Sequence, residues 1–261
     1  MRLHKVSGFV PCQNSEAVIR ECLESLKWCD EVLVVDGFST DRTLEIVQEF
    51  DNTRIIQHEY INSVEQKIWA LPQAKYDWIF QLDSDERCTP KLQQKIEKML
   101  NQETIPGYSY KFRMKTLLFG KLLKHDVYTG YRTKRFYRRE ICKTFTKSRV
   151  HGRLVPPEPS IFISDVYVLH DPIRDFSQNW RKMIRYAEWA SRDLFENNVK
   201  VHWWNLLLQP AIKFWRFYLL NGGFRDGLAG IIICLFSGLA VFMKYAKLWE
   251  LYQKNDQSAS C

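Results

Sequence analysis

Short apolar runs alternate with amphipathic stretches through the first 100 residues. The runs VSGFV and EVLVVD predict strands that end near Pro11 and on Asp36, and RIIQH and DWIFQLD predict two more. Between these runs, apolar residues at helical spacing predict helices in NSEAVIRECLESLKW, STDRTLEIVQEF and SVEQKIWALPQA. Strands and helices that alternate in this way are typical of a parallel sheet with helical crossovers.

The pattern changes after the predicted helix PKLQQKIEKML. GYSYKFRMKTLLFG and TKRFYRRE alternate in strand fashion, which predicts an antiparallel extension of the sheet. From about Asp171 the chain becomes helical, and FSQNWRKMIRYAEWASRDLFENN is strongly amphipathic. We therefore expect an α/β fold, a mixed sheet with flanking helices, followed by C-terminal amphipathic and apolar helices.

The last third of the chain is rich in aromatic and apolar residues. HWWNLLLQPAIKFWRFYLL interleaves aromatic residues with Lys213 and Arg216, and an uncharged run of 17 residues follows from Gly227 to Met243. At 1.5 Å per residue such a helix spans about 25 Å, which is less than the ~30 Å hydrocarbon core. The pattern favours helices that lie in or dip into a membrane interface, a monotopic anchor. A buried core helix and a dimer interface are the alternatives.

Composition narrows the class of protein. A chain of 261 residues with 46% hydrophobic content can bury a substantial core. A net charge of +8 indicates contact with anions, which nucleic acid, membranes and phosphorylated small molecules all supply. Seven cysteines without a CxxC pair favour reduced thiols. The start MRLHKVSGFVPC lacks the apolar region of a signal peptide, so we expect a cytoplasmic location.

The segment QLDSDER places two aspartates at the end of the fourth predicted strand. Side chains two positions apart on an extended segment point the same way, so Asp83 and Asp85 bring two like charges together. Mg²⁺ or Mn²⁺ would relieve this repulsion and neutralise a departing diphosphate. Asp36 ends the second strand and should lie at the same sheet edge. The alternative is a polar turn without a ligand.

A basic block lies downstream of the acidic pair. Between Arg132 and Arg153 there are nine Lys or Arg residues and one acid, Glu140. Because almost all charges in this block are positive, the block predicts an electropositive wall that binds a diphosphate or an anionic acceptor. A solvated basic surface is the alternative.

Several of these motifs together resemble a known family. PCQNSEAVIRECLESLKWCDEVLVVDGFSTDRTLEI and EQKIWALPQAKYDWIFQLDSDER resemble the family-2, inverting glycosyltransferases of the GT-A (Rossmann-like) fold. They are most similar to the bacterial branch that adds a sugar to the lipopolysaccharide inner core, as is the tail GGFRDGLAGIIICLFSGLAVFMKYAKLWE. The resemblance implies a transferase domain in 1–170, with a nucleotide-binding half (1–100) and an acceptor and catalytic half (101–170). A membrane-associating helical region (171–252) and a disordered tail (253–261) would follow.

The resemblance also implies roles for particular residues. Asp85 would coordinate the metal, Asp83 would touch the ribose or reach the ion through water, and Asp36 would contact the base. For Asn14 and Glu16, capping of the following helix is the alternative. The remaining implied contacts are the nucleotide edge for Pro11, Asn14 and Glu16, the donor for Gln66 and Lys67, and the diphosphate for Arg135.

The general base is the part of the predicted site where this chain departs from the family pattern. Inversion requires a base that takes the proton from the acceptor hydroxyl. The branch usually has carboxylates where this chain has Tyr131 and Gly152. Asp126 is the first candidate and His151 the second, as base or metal ligand. Glu158 is a remote third.

The sequence thus predicts a metal-dependent inverting glycosyltransferase. It would move a sugar from a nucleotide-diphosphate donor, with uridine as the family expectation, to a lipid-linked saccharide such as lipopolysaccharide core. We expect it to be peripheral or monotopic on the cytoplasmic face of the inner membrane, without a nucleic-acid partner. A degenerate transferase or a non-catalytic protein that binds anionic ligands or membranes is the alternative. An aspartyl phosphatase and a Rossmann dehydrogenase are disfavoured, because the first strand ends on Pro11-Cys12 and no GxGxxG follows it.

Overall fold

The computed structural model describes residues 2–59, 63–125, 132–140 and 159–259. The chain divides into two compact units. The described part of the first comprises 2–59, 63–114, 132–140 and 159–170, and that of the second comprises 115–125 and 171–259. The predicted division at residue 170 did not assign 115–125 to the helical region. This segment belongs there because Leu118 and Leu123 pack into the apolar core of the second unit.

The amino-terminal half of the sheet is parallel. Its spatial order is β3-β2-β1-β4, and each neighbouring pair runs parallel, as the alternation of strands and helices predicts. The strands are β1 (Val6–Cys12), β2 (Glu31–Asp36), β3 (Thr53–Gln57) and β4 (Trp78–Gln81). The connecting helices are α1 (Ile19–Glu24), α2 (Thr43–Gln48) and α3 (Ser63–Ala70), followed by a 3-10 turn at Leu71–Gln73.

The antiparallel extension predicted from the alternating stretches is present. The sheet continues in the order β4-β8-β6-β9-β5, and a short strand, β7, pairs with β6. Helix α4 (Pro90–Leu100) connects the first of these strands, β5, to β6. The strands are β5 (Glu86–Cys88), β6 (Ser109–Leu118), β7 (Lys121–Leu122), β8 (Arg132–Arg138) and β9 (Ile161–Ile173).

Strand β2 shows why the sheet has a core on both sides. Every residue of EVLVVD is buried. Val32 and Val34 pack in one apolar cluster, whereas Leu33 and Val35 pack in another, because successive side chains of a strand point to opposite faces. A strand covered on both faces reads as a continuous apolar run, which is the pattern of a parallel sheet with helices on either side.

The second unit is helical. It contains α5 (Phe176–Glu196), α6 (Trp203–Trp215), a π-helical turn (Arg216–Leu220), a 3-10 turn (Gly223–Asp226) and α7 (Leu228–Ala259). The 3-10 turn packs so closely on α7 that a Cβ at Gly230 would overlap the carbonyl oxygen of Gly223. Lys247 of α7 pairs with Glu188 of α5 at 3.3 Å.

Helix α7 is longer than the apolar run that predicts it. Residues 253–259 of the predicted disordered tail continue the helix, which an ion pair one turn apart, Lys254 with Glu250 at 2.6 Å, supports. Within the described part of the chain, Leu228–Asn255 is the one helix whose length and composition would allow it to cross a membrane. That finding rests on length and composition alone.

Candidate active site

The acidic residues singled out by the sequence lie at the carboxyl edge of the parallel strands. Asp36 is the last residue of β2, and Cys12 is its partner at the end of β1. Asp83 follows the end of β4 by two residues, and β4 pairs with β1 on its other side. Pro11 is the penultimate residue of β1 and is in register with Val35 of β2. Open α/β sheets bind their ligands at this edge.

Asp36 is wholly buried and already accepts several hydrogen bonds. Its carboxylate accepts the Ser39 N–H at 2.9 Å and the Gln57 amide at 3.0 Å. The Ser39 hydroxyl and the Cys12 thiol also donate to it, the thiol at 3.8 Å. A base N–H could therefore bind Asp36 only in exchange for one of these donors. Of the three residues that donate to Asp36, Gln57 is the most exposed, Ser39 is intermediate and Cys12 is buried.

Asn14 and Glu16 hold the loop that follows Asp36. The Asn14 carboxamide oxygen accepts the Thr40 N–H at 2.8 Å, and the Glu16 carboxylate accepts the Arg42 N–H at 3.1 Å. Neither side chain caps α1, which begins only at Ile19 and has no side-chain cap. Helix capping, the alternative given for these two residues, is therefore wrong. Their predicted place at the nucleotide edge stays a prediction.

Ser39, in this loop, forms hydrogen bonds with both Asp36 and Asn14. Its hydroxyl donates to Asp36 and accepts the Asn14 N–H at 2.8 Å. We expect Ser39→Ala to lower the free energy of unfolding by about 1–2 kcal/mol, since it leaves a buried carboxylate short of one donor. Urea denaturation measures this loss, and Ser39→Thr, which keeps the hydroxyl, should recover most of it. Equal stability of the alanine and threonine variants would contradict this role of the hydroxyl.

Asp83 belongs to a buried cluster of charges. Arg135 of β8 donates to Asp83 at 2.8 Å and also pairs with Glu86. With the Gln81 amide oriented to satisfy its neighbours, its oxygen accepts from Lys67 Nζ at 2.9 Å and from Arg135 Nη1 at 3.1 Å. Asp83 nevertheless keeps a side chain that is 44% exposed, whereas that of Glu86 is 1% exposed. Asp83 is thus the member of the cluster that a ligand can reach.

The pKa values of the two carboxylates in this cluster, Asp83 and Glu86, are shifted in opposite directions. Burial raises the pKa of Glu86 to about 7, although the charge of Arg135 opposes the shift. Burial also acts on Asp83, but the charges of Arg135 and Lys67 outweigh it and hold its pKa below the ordinary value. Burial lowers the pKa of Lys67. Asp83 is therefore the carboxylate that carries its charge most firmly.

Asp85 lies beside a histidine that the sequence analysis did not consider. Strand β5 pairs with β9 so that Glu86 is opposite His170, and this register brings His170 Nε2 to 3.7 Å from Asp85 Oδ1. Both side chains are mostly buried, at 14% and 15% exposure. The available signal was a histidine at the end of the alternating run IFISDVYVLHD. It was missed because 85 positions separate the two residues.

Gln66 contacts the strand that ends on Asp36. Its side-chain amide donates to the Val35 carbonyl at 3.4 Å, so the amino-terminal part of α3 lies against β2. The Gln66 oxygen is buried, and no donor to it exists among the described residues. Gln66 and Lys67 are neighbours in sequence. Gln66 lies beside the strand that ends on Asp36, whereas Lys67 belongs to the charged cluster around Asp83. Their predicted contacts with the donor stay predictions.

The two candidates for the general base, Asp126 and His151, lie outside the described residues. The same holds for Tyr131, Gly152 and Glu158 and for the basic block beyond residue 140. In its described part, Arg138 pairs with Trp78 at the amino end of β4, so Arg138 lies at the sheet edge opposite Asp83. Among the described members of the block, Arg135 therefore lies at the acidic pair and Arg138 lies at the opposite edge.

A mixed α/β sheet with an acidic pair at the carboxyl edge of its parallel strands is the arrangement of a GT-A-type transferase. The chain belongs to Glycosyl transferase family 2, whose model matches residues 7–150. The predictions of the family, the fold class and a transferase activity are thereby confirmed.

Relatives match nearly the whole chain. The lipopolysaccharide core biosynthesis glycosyltransferase LpsC of Rhizobium meliloti is 27% identical over 250 residues, which is 94% of this chain and 92% of LpsC. A glycosyltransferase of Rickettsia bellii is 26% identical over 261 residues, 95% of this chain and 87% of that protein. The crystal structure of S. aureus TarS 1-349 in complex with UDP-GlcNAc has the same fold, with a TM-score of 0.50 at 18% identity over 96% of this chain and 92% of the TarS 1-349 chain.

Proposed function

We propose that this protein transfers a sugar, with inversion, from a nucleotide-diphosphate donor to a lipid-linked saccharide. The observation that carries the proposal is the pairing of Asp85 with His170 next to the exposed carboxylate of Asp83, at the edge where such folds bind ligands. The similarity to LpsC along 94% of the chain supports lipopolysaccharide core as the class of acceptor. Uridine is the expected base, on the family resemblance.

Asp85 and His170 suit a divalent ion. A carboxylate oxygen and an imidazole nitrogen are a donor set that Mn²⁺ accepts, and the 3.7 Å between them leaves room for an ion bound to both. Within the described residues, no group of three or more His, Cys, Asp or Glu forms a complete cage. The two side chains would therefore hold the ion together with ligands from the donor and water. When bound, the ion neutralises the charge of the leaving diphosphate.

The other residues of the cluster set the charge around the donor. Arg135 and Lys67 balance Asp83 and Glu86, so the buried cluster is close to neutral and Asp83 keeps its charge at the exposed side. We assign to Asp83 a hydrogen bond from a ribose hydroxyl or from a water on the ion, and its 44% exposed side chain supports this role. Arg135 reaches a diphosphate only if it exchanges one of its carboxylate partners. Asp126 or His151 takes the proton from the acceptor hydroxyl.

A donor screen followed by a transfer assay tests the proposal. Thermal shift with a panel of nucleotide sugars and Mn²⁺ should single out one base and sugar, because a ligand that binds the folded state raises Tm. The selected donor, radiolabelled in its sugar, should then label a glycolipid extract of bacterial inner membranes. A donor that binds without transfer or hydrolysis would favour the degenerate transferase. Absence of any nucleotide-sugar binding would overturn the proposal.

The second unit supports a membrane-bound acceptor. Along α6 and the following π-helical turn, one side of the helix is apolar and exposed, and we call it the outer α6 face. Lys213 and Arg216 flank it, a combination typical of helices in a membrane interface. We place this face against the cytoplasmic leaflet of the inner membrane. Its members are Trp203, Trp204, Leu207, Leu208, Ile212, Trp215, Leu219 and Leu220.

Charged substitutions on the outer α6 face should release the protein from lipid. We expect Leu208→Glu with Trp215→Glu to weaken binding to vesicles containing anionic phospholipid by about tenfold or more, since each lost apolar side chain is worth ~1.5–3 kcal/mol of burial. Vesicle sedimentation measures the change. Leu3→Glu, on an exposed leucine of the first unit, is the control and should bind as wild type does. Unchanged vesicle binding with a halved mass in solution would instead identify a dimer interface.

A further inference from the structure

Phe38 has a backbone conformation that aromatic residues rarely adopt. It follows Asp36 by two positions, and its φ is +58°. In this left-handed region the Cβ of an L-residue crowds the following carbonyl, whereas glycine has no such conflict. A bulky residue persists at such a position only where the surrounding structure enforces it, and such residues cluster at functional sites.

Hydrogen bonds fix the backbone on both sides of Phe38. The Gly37 N–H donates to the Cys12 carbonyl at 2.8 Å, and the Gly37 carbonyl accepts from Gln13 Nε2 at 2.8 Å. On the other side, the Ser39 N–H donates to Asp36 at 2.9 Å. These bonds do not involve the Phe38 side chain. The turn therefore explains the conformation of this residue but not its identity.

The Phe38 ring does not serve the apolar core either. It is 56% exposed and belongs to neither apolar cluster of the sheet. The hydrogen-bonded loop places it at the carboxyl edge of β2, two residues after Asp36, which is expected to contact the base. An exposed aromatic ring in a fixed position offers a flat face to a heterocycle, and base stacking on such rings makes a substantial contribution to affinity.

We propose that the Phe38 ring is the platform on which the donor's nucleobase stacks, an inference that rests on the proposed function. The hydrogen bonds already made by Asp36 favour this assignment. That carboxylate is buried and accepts from Ser39, Gln57 and Cys12, so it has little free capacity for the base. Stacking on Phe38 supplies affinity at this edge, and Asp36 does not have to give up any of its present hydrogen bonds.

Phe38→Gly separates the platform from the turn. Glycine fits the left-handed conformation, so the variant should keep or raise Tm. In titration calorimetry with Mn²⁺ present, we expect its Kd for UDP to rise about tenfold or more, the range of a lost base stack. Its Kd for inorganic pyrophosphate, which lacks a base, should equal that of wild type.

Two further variants identify the ring itself as the cause. Phe38→Trp should bind UDP as wild type does, whereas Phe38→Leu, apolar but without a ring, should lose affinity as the glycine variant does. Wild-type affinity for UDP in Phe38→Gly or Phe38→Leu overturns this inference alone. A raised KM for the acceptor with unchanged UDP binding overturns it too, because the ring would then serve the acceptor. Failure of the wild-type protein to bind any nucleotide sugar of the donor panel, or its nucleoside diphosphate, would overturn the proposed function as well.

Discussion

Asp85→Asn is expected to lower the rate of sugar transfer by about a thousandfold, since a Lewis-acid ion contributes several kcal/mol to transition-state stabilisation. The substitution keeps the shape of the side chain but removes the charge next to His170. A neutral amide is a poor ligand for Mn²⁺, so the ion would be held by His170 and the donor alone. Transfer of radiolabelled sugar to the glycolipid acceptor, at saturating donor and Mn²⁺, measures the loss.

Asp77→Asn is the matched control for this experiment. Asp77 precedes β4 as Asp85 follows it, but it lies at the opposite edge of the sheet, where it is 82% exposed and pairs with Arg139. Its variant should transfer sugar at the wild-type rate. Comparable activity of Asp85→Asn and Asp77→Asn would show that the acidic pair is only a turn. Raised Mn²⁺ that restores part of the activity of Asp85→Asn would support a weakened ion site.

Arg135→Met is expected to lower the free energy of unfolding by about 3–5 kcal/mol, the usual cost of removing one partner from a buried ion pair. Arg135 is buried between Asp83 and Glu86, and methionine would leave these two like charges with Lys67 as their nearest compensation. Urea denaturation at pH 8 measures the loss. Arg139→Met removes a half-exposed arginine near the end of the same strand and should cost about 1 kcal/mol or less.

The cost of Arg135→Met should depend on pH. In the wild-type protein the pKa of Glu86 is raised from 4.5 to about 7, so stability from this group is full below pH 4.5 and is lost as pH rises through 7. Arg135 opposes that shift, and its removal raises the pKa further. The difference in unfolding free energy between wild type and variant should therefore be larger at pH 8 than at pH 5. An equal difference at the two values would contradict the burial of an ionisable Glu86.

The parallel half of the fold was predictable because its signals are local. The uninterrupted apolar run before Asp36 predicts a strand that is covered on both faces, and so does the run before Asp83. Parallel strands then bring both aspartates to one edge, whatever the sequence distance between them. The edge and the acidic pair follow from periodicity and topology alone.

Other features depend on contacts that no local pattern encodes. His170 reaches Asp85 through the register of β5 with β9, which pairs residues 84 positions apart. His151 was predicted instead, because it precedes Gly152 where the family branch usually has a carboxylate, and it lies outside the described part of the chain. Asn14 and Glu16 precede a helical pattern and so suggest caps, but their side chains bind the loop of the next strand. Arg135, expected at a diphosphate, pairs with the buried carboxylate of Glu86 and the part-exposed carboxylate of Asp83.

Mn²⁺ binding measured by electron paramagnetic resonance in the presence of UDP tests the central claim most directly. The account predicts that wild-type protein with UDP removes one Mn²⁺ per chain from the free signal. Asp85→Asn and His170→Ala should each bind the ion much more weakly, while Asp77→Asn should bind it as wild type does. Wild-type Mn²⁺ affinity in both Asp85→Asn and His170→Ala would contradict a metal-assisted transferase site built on these two residues.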